Sequence, residues 1–208
     1  MILNYNESNI KKKRRKNILD KSMDLFIRDG IHSLTMQDIA KECGISIRSL
    51  YYYYSTKEDL AVDIQICVFT NEWFNVKELD INTSGYELLK KLVFNVVDHI
   101  ENNKKIIKYI TAFDYYFHNE YPSEKYLKHL EDIQSNTIIE KIVTLTGKDN
   151  TINTHGESIE TTVATIFQSI LAYSQRAIYR EKALLSEGIV SLGSLRLHAE
   201  LLVYALKK

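Results

Sequence analysis

The sequence predicts an all-α fold, and three observations support this prediction. The 208 residues include only seven glycines and one proline, so few positions interrupt a helix. Apolar residues recur at spacings of three and four over most of the chain, as they do along the buried face of a helix. The stretch from Thr35 to Ser55 has helix caps on both sides of a short turn. Together these features predict about nine helices.

The first predicted helix follows a polar tail and begins in a run of basic residues. Residues 1–10 are expected to be flexible, and six positive charges follow at 11–16. The helix then continues to about Asp29, where Gly30 ends it. Two interpretations of the basic run stay open. It is either a solvated helix start, or a flexible arm that contacts DNA phosphates or a minor groove.

The capped stretch predicts two short helices joined by a tight turn. Thr35 and Asp38 have the spacing of a capping box, and Gly44 can take the positive φ that ends the first helix. Ser46 is a second N-cap, and the helix that it begins runs into four tyrosines, Tyr51–Tyr54. This arrangement is typical of a helix-turn-helix unit that reads DNA.

The rest of the chain has further helical patterns separated by polar segments. The predicted helices span about residues 57–78, 85–101, 104–117, 123–146, 157–181 and 186–206. The segment GKDNTINTHG between two of them is polar and flanked by glycines, which predicts a loop. The last two helices are strongly apolar, so each could bury one side internally and pair the other with a second copy of the chain. A purely internal core is the alternative.

Three motifs of the N-terminal part fall in one frame. They are Thr35-x-x-Asp38-Ile39-Ala40, Gly44-Ile45-Ser46 and Leu50-Tyr51-Tyr52-Tyr53-Tyr54-x-x-Lys57-Glu58-x-Leu60. With the first helix, they resemble the N-terminal domain of TetR-family transcriptional regulators over about residues 14–62. Two departures are mild, since Ser22 stands where alanine is usual and Tyr54 where phenylalanine is commoner. A buried hydroxyl at position 54 would need a hydrogen-bonding partner.

The resemblance implies a homodimer with two parts in each chain. Residues 11–56 would form the helix-turn-helix domain, and residues 57–208 a helical domain that binds an effector and dimerises through the last two helices. The implied function is sequence-specific transcriptional regulation, with a repressor released from a palindromic operator by a small molecule. The operator, the effector, the regulated genes and the choice between repressor and activator stay open.

The residues expected to contact DNA lie on the outward face of the second short helix and at two helix starts. Arg48 has the fork geometry that binds guanine, and an exposed Ile47 would suit a thymine methyl group. Tyr53 and Tyr54 are expected to face inward. The full set is Thr35, Ser46, Ile47, Arg48, Ser49, Tyr51, Tyr52 and Lys57, with Thr35 and Lys57 on phosphates. The alternative is an ordinary solvated or packed side chain at each position.

Aromatic residues are frequent in the helices where the resemblance implies an effector cavity. An aromatic lining with few polar groups suits a planar or apolar ligand. The predicted lining consists of Trp73, Phe74, Phe113, Tyr116, Phe117, Phe167 and Tyr173. The alternative is that these side chains belong to the hydrophobic core.

Composition and motifs argue against several other classes of protein. Lys+Arg and Asp+Glu are balanced at 27 each, but residues 1–60 carry 11 basic against 8 acidic side chains, which suits a DNA-facing end. No signal peptide or membrane span is visible, so a cytoplasmic location is expected. Two cysteines and six scattered histidines match no metal or catalytic motif, and no enzyme activity or cofactor is predicted. A helical enzyme and an adaptor that does not bind DNA are the alternatives.

Overall fold

The computed structural model describes residues 9–71, 82–118, 127, 138–188 and 193–208. The helices in these residues are α1 (Asn9–Asp29), α2 (Met36–Cys43), α3 (Ile47–Tyr53), α4 (Lys57–Asn71), α5 (Gly85–Asn102), α6 (Lys104–Phe117), α7 (Ile138–Thr146), α8 (Ile159–Tyr179), α9 (Glu181–Ser186) and α10 (Gly193–Ala205). The described residues contain no β-strand, and an isolated antiparallel bridge joins Ile152 to Lys207. The predicted all-α fold is confirmed. None of the described helices combines the length and the apolar character that crossing a bilayer would require.

Several predicted helix bounds agree with the structure, and the start of one helix was predicted wrongly. Helices α2 and α6 begin and end where the sequence pattern places them. The predicted helix over 186–206 is present as α10 from Gly193 to Ala205, but its predicted start is wrong, because Ser186 is the last residue of the short helix α9. Gly188 then takes a left-handed conformation with φ 73°, which a continuing helix cannot contain. Residues 72–78 and most of 123–137, also predicted to be helical, lie outside the described residues.

The helices group into two compact units. The first unit consists of Met1–Phe69 and Tyr109–Glu131, and the second of Thr70–Lys108 and Asp132–Lys208. The divisions therefore fall within α4 and α6. The predicted functional boundary between residues 56 and 57 stays a prediction.

The core of the first unit is built from the apolar faces of its helices. Phe26 of α1, Ile39 of α2 and Leu50 of α3 are fully buried. Tyr109 of α6 is also fully buried, and its hydroxyl donates a hydrogen bond of 2.6 Å to the carbonyl oxygen of Ala61 on α4. Because a buried phenol must find a partner, this bond fixes α6 against α4 within the unit.

The second unit contains a close approach between α5 and α7. A Cβ atom on Gly85, the first residue of α5, would lie 1.9 Å from the carbonyl oxygen of Thr146. Glycine is therefore required at this crossing. The loop after α7 completes the contact, since the Gly85 N–H donates to the Asp149 carboxylate at 2.9 Å and the Tyr86 N–H to the Thr151 hydroxyl at 3.0 Å. The N-terminus of α5 is thus capped by a segment more than 60 residues away in sequence.

Candidate nucleic-acid interface

Helix α2 begins with the capping box that the sequence predicts. The Asp38 N–H donates to the Thr35 hydroxyl oxygen at 3.2 Å, and the Thr35 N–H donates to the Asp38 carboxylate at 2.9 Å. The Thr35 hydroxyl also donates to that carboxylate at 2.5 Å. Hydrogen bonds from the Thr35 side chain and backbone lower the pKa of Asp38 from its ordinary value. Thr35 is exposed at this helix start, but its N–H and its hydroxyl hydrogen are both donated to Asp38, so a contact with a phosphate would require the hydroxyl to turn away from that carboxylate.

The turn between α2 and α3 has the predicted glycine geometry. Gly44 adopts φ 68°, and its N–H donates to the Lys41 carbonyl at 3.1 Å. The following Ile45 N–H returns to the Ala40 carbonyl at 3.0 Å. Both hydrogen bonds are accepted by carbonyl groups at the end of α2. The chain therefore leaves α2 in a tight turn.

The start of α3 is fixed by two serine hydroxyls. The Ser46 hydroxyl accepts a hydrogen bond from the Ser49 N–H at 3.1 Å and shares a second one with the Ser49 hydroxyl at 2.8 Å. Ser46 is exposed, and Ser49 is half-buried. The observed role of these two residues is thus to cap the start of α3. A DNA contact by either of them would be an additional role.

The outward face of α3 carries large exposed side chains. Ile47 is 42% exposed, and Arg48 is also exposed. Tyr51 and Tyr52 are 52% and 73% exposed, whereas Tyr54 is only 4% exposed. The predicted division of the tyrosines between an outward and an inward side is therefore observed at these positions. Contact of the outward residues with DNA stays a prediction.

Lys57 does not point away from the protein, in contrast to the expectation for a phosphate contact. Its ammonium group donates to the carbonyl oxygens of Ile31, His32 and Leu34 at 2.9, 3.1 and 2.9 Å. An ammonium group has three N–H donors, so all of them are engaged. The ammonium also lies 5.6 Å from the centre of the Tyr116 ring. The side chain fastens the turn between α1 and α2, and a phosphate contact, which stays a prediction, would compete with these three hydrogen bonds.

The basic run at the start of α1 is helical, and its members face different surroundings. Lys12, Lys13, Arg14 and Lys16 are exposed. Lys11 lies over the Tyr52 ring at 5.7 Å. Lys11 therefore lies next to the outward face of α3 and brings positive charge to the candidate interface.

Arg15 of the same run is turned into the protein, and sequence reasoning missed this role. Its guanidinium donates to the Asp63 carboxylate at 3.2 and 2.6 Å and to the Tyr54 hydroxyl at 3.3 Å. The Tyr54 hydroxyl in turn donates to Asp63 at 2.6 Å. The buried Tyr54 hydroxyl, which was expected to need a hydrogen-bonding partner, therefore has two, Arg15 and Asp63. The available signal was Tyr54 itself, since a buried hydroxyl in place of phenylalanine requires polar neighbours.

Burial and hydrogen bonding shift the protonation equilibria of this cluster. Burial, followed by the negative charge of Asp63, raises the pKa of Tyr54 well above its ordinary value. Burial alone would lower the pKa of Arg15, but its hydrogen bonds to Asp63 and Tyr54 outweigh that effect and raise the pKa. Arg15 and Tyr54 therefore keep their protons at any physiological pH.

The predicted effector-lining aromatics occur in both units, and two lie outside the described residues. Those two are Trp73 and Phe74. In the first unit, Phe113 is a core residue with its ring centre 4.5 Å from that of Phe117, and the Tyr116 hydroxyl donates to Glu58 at 2.5 Å.

In the second unit, the two predicted lining residues are half-buried. They are Phe167 and Tyr173, both on α8. Tyr173 stacks on His198 of α10 with ring centres 4.6 Å apart. Two surface depressions of about 410 and 420 Å³ are lined by other residues. The aromatic lining stays a prediction.

Helix α10 presents an apolar stripe to its surroundings. Leu197, Leu201 and Tyr204 follow the i, i+4, i+7 spacing of one helix face and are 56%, 62% and 75% exposed. Such a stripe is a candidate interaction surface. Within the described part of the chain, no three side chains of His, Cys, Asp or Glu are grouped closely enough to hold a metal ion.

Comparison with known proteins places the helix-turn-helix part in a family. Residues 18–64 match the family model described as bacterial regulatory proteins, tetR family. The chain is also similar to YerO of Bacillus subtilis, described as an uncharacterized HTH-type transcriptional regulator, with 30% identity over 97 residues. That match covers 45% of this chain and 34% of YerO. The chain spans between a quarter and about half of the length of the curated relatives that it matches first.

Two solved structures are similar over nearly the whole chain. One is NalD, the secondary repressor of the MexAB-OprM multidrug efflux pump in Pseudomonas aeruginosa. Its TM-score is 0.68 at 14% identity, over 97% of this chain and 99% of NalD. The other is Thermus thermophilus FadR, a TetR-family transcriptional repressor in complex with lauroyl-CoA. Its TM-score is 0.57 at 18% identity, over 92% of this chain and 94% of FadR. At these identities the likeness shows a shared fold.

Proposed function

Because residues 18–64 match the family model of bacterial regulatory proteins of the tetR family, we propose that the chain is a member of this family and a sequence-specific DNA-binding transcriptional regulator. The observation that carries this proposal is the outward face of α3. Its side chains are exposed while both helix ends are fixed by caps. A rigid short helix with an exposed guanidinium and an exposed aliphatic group has the chemistry that the major groove selects.

Base reading is assigned mainly to the first turn of α3. Arg48 would donate two hydrogen bonds to the O6 and N7 atoms of a guanine, and Ile47 would contact a thymine methyl group. Tyr51 and Tyr52 would contact the backbone or the edge of the groove through their rings and hydroxyls. Any DNA contact by Ser46 or Ser49 would use the hydrogen-bonding capacity that remains once their capping bonds are made.

Contacts to phosphates are assigned to the start of α2 and to the exposed part of the basic run. Thr35 stands at a helix N-terminus, where the helix dipole favours anions, and its hydroxyl would exchange the Asp38 carboxylate for a phosphate. The exposed charges at Lys12, Lys13, Arg14 and Lys16 would add attraction that does not depend on sequence. Lys57 contributes indirectly, by holding the turn that leads into α2.

The proposed assembly is a homodimer through α8 and α10. The exposed apolar stripe of α10 supports this, since a second copy would remove it from water. A two-fold dimer would bind a palindromic operator, with its two α3 helices in successive major grooves about 34–36 Å apart.

We further propose that a small molecule bound by the C-terminal helices releases the protein from its operator, which makes it a repressor. NalD is described as a repressor, and FadR as a repressor in complex with lauroyl-CoA. The half-buried Phe167 and Tyr173 are proposed effector contacts. A DNA-binding role also implies a cytoplasmic location. Equal operator affinity with and without a tightly bound compound would contradict the release.

The decisive experiment is selection of binding sites from random duplexes by the purified protein. The expected result is a palindromic consensus whose two halves are separated by one helical turn of DNA. Its affinity should exceed that for unrelated duplex by about 10³-fold or more at physiological salt. Recovery of no consensus, with equal binding to all duplexes, would overturn the proposed function.

A further inference from the structure

Helix α3, the helix proposed to read DNA, is too short to hold its own orientation. Helix α3 contains seven residues, and isolated helices of that length are unstable in water. Its start is fixed by the Ser46 cap and its middle by the buried Leu50. The remaining anchor is at its end, where Tyr54 takes an extended conformation and connects α3 to α4.

That end is tied to two other helices by a cluster of three polar side chains. The Tyr54 hydroxyl donates to the Asp63 carboxylate of α4 at 2.6 Å, and Arg15 of α1 donates to both of them. Tyr54 is 4% exposed, and Arg15 and Asp63 are part-buried. Hydrogen bonds to a carboxylate in partly desolvated surroundings are stronger than exposed ones.

The α1 contacts to the tyrosines come from one face of the basic run. Lys11 and Arg15 are one helical turn apart, and they lie against Tyr52 and Tyr54 respectively. The run thus has two kinds of residue. Two of its six charges hold α3, and the exposed ones are available to DNA.

The geometry of α3 makes the anchor at Tyr54 relevant to base reading. Arg48 lies six residues away along the chain, which is about 9 Å along the helix axis. A tilt of about 10° at the end of α3 would therefore move Arg48 by about 1.5 Å. A bidentate contact tolerates only about 0.5 Å.

We propose that Arg15, Asp63 and Tyr54 form a positioning site that fixes the orientation of the recognition helix and so determines specific DNA affinity without contacting DNA. This inference rests on the proposed DNA-binding function. It assigns Arg15 to α3 and not to a phosphate, although Arg15 belongs to the basic run. Loss of the cluster lets α3 populate orientations that cannot bind, and apparent affinity falls in proportion to the population that can.

The test compares variants on two duplexes, the one selected by the wild-type protein and an unrelated one of equal length. Tyr54→Phe removes only the hydroxyl and keeps the ring in the core. We expect it to weaken specific binding about three- to tenfold and to leave non-specific binding and the salt dependence of both unchanged. Arg15→Lys keeps the charge but loses the fork geometry, so it should behave in the same way.

A double-mutant cycle shows whether Tyr54 and Asp63 act as one unit. The combined variant Tyr54→Phe with Asp63→Asn should lose little more specific affinity than the worse of the two single variants. Lys13→Gln, an exposed neighbour in the basic run, is the control. It should weaken both duplexes equally and reduce the salt slope. Circular dichroism of each variant checks that the helical fold is intact.

The outcomes separate this inference from the function on which it rests. If the wild-type protein prefers no duplex, the proposed function fails. If it prefers one and Tyr54→Phe keeps the same ratio of specific to non-specific affinity, the positioning role is refuted. If Arg15→Lys binds as the wild type does while Arg15→Gln loses salt dependence, Arg15 contacts phosphate and the assignment is wrong. If Asp63→Asn does not fold, Tyr54→Phe and Arg15→Lys decide the question.

Discussion

Four consecutive tyrosines receive different surroundings because each successive side chain of a helix is rotated by about 100°. Tyr51 and Tyr52 are mostly exposed, Tyr53 is half-buried, and Tyr54 lies in the core beyond the last residue of α3. At the residue scale, function therefore depends on direction more than on side-chain type. The exposed tyrosines can contact a ligand as large as DNA. The buried one can only act through its neighbours.

Arg48 is the residue whose removal should most affect sequence discrimination. A bidentate pair with guanine contributes about 1–3 kcal/mol of discrimination. We therefore expect Arg48→Ala to weaken binding to the selected duplex by about 5- to 150-fold, and binding to unrelated duplex much less. Filter binding or fluorescence anisotropy on both duplexes measures this. An unchanged ratio of the two affinities would contradict the base-reading role of Arg48.

Lys57 should behave as a structural residue in the same assays. Replacing Lys57 by Met keeps the aliphatic stem but removes the three hydrogen bonds to the α1–α2 turn. We expect the free energy of unfolding to fall by about 1–3 kcal/mol, while the salt slope of DNA binding stays at the wild-type value. Thermal or urea unfolding and a salt titration measure the two effects. A lower salt slope with unchanged stability would restore the phosphate contact first expected for Lys57.

At the scale of single elements, the helix starts differ in where their caps come from. Helices α2 and α3 are capped by residues within three positions of the cap, namely the pair Thr35 and Asp38 and the pair Ser46 and Ser49. Helix α5 has a local cap from Ser84. The Gly85 N–H at its start also donates a hydrogen bond to Asp149, which lies far along the chain. A local cap lets a helix form early. A remote cap ties that helix to tertiary structure.

The remote cap predicts a pH dependence of stability. Hydrogen bonds from Thr151, followed by that from the Gly85 N–H, lower the pKa of Asp149. A lowered pKa in the folded state means that the carboxylate stabilises the fold above its ordinary pKa of about 3.9, and that this contribution is lost as pH falls through the folded value. Asp149→Asn should therefore lower the Tm at pH 6, and the difference from wild type should shrink below about pH 4.

A matched control distinguishes this cap from a general charge effect. Glu157→Gln removes an exposed carboxylate from the same connection between α7 and α8. Its Tm difference from wild type should be small and should not depend on pH in the same way. A pH-independent difference for Asp149→Asn would show that the hydrogen bonds to the carboxylate form are not what stabilises the start of α5.

At the scale of the whole molecule, the proposed tasks of reading DNA and of assembly fall in different units. The first unit contains the proposed interface with DNA, including the cluster of Arg15, Asp63 and Tyr54. The second unit contains α10 with its exposed apolar stripe. A palindromic operator has two half-sites, so in the proposed homodimer the surface that joins the two copies is as necessary to specific binding as α3 itself.

The proposed dimer surface on α10 can be tested by placing one charged side chain in it. Leu201→Arg places a cation in the middle of the stripe of α10, where a second copy would have to desolvate it. We expect sedimentation to show a monomer at micromolar concentration, and specific affinity to fall by about 10²-fold or more because the two readers are no longer linked. Thr144→Arg on α7, at another exposed position of the second unit, is the control and should stay dimeric. A monomeric wild-type protein would refute the dimer.

The sequence by itself determined the all-α class and the details of α2 and α3. Their capping residues and turn glycine are set by hydrogen bonds between residues at most five positions apart, and such bonds have fixed spacings. Tertiary structure alone decided the roles of Lys57 and Arg15. Both are basic residues beside a DNA-reading unit, and charge alone suggests phosphates for both. The residues to which they donate hydrogen bonds lie 23 to 48 positions away in sequence. A local sequence pattern cannot predict a contact between residues that only folding brings together.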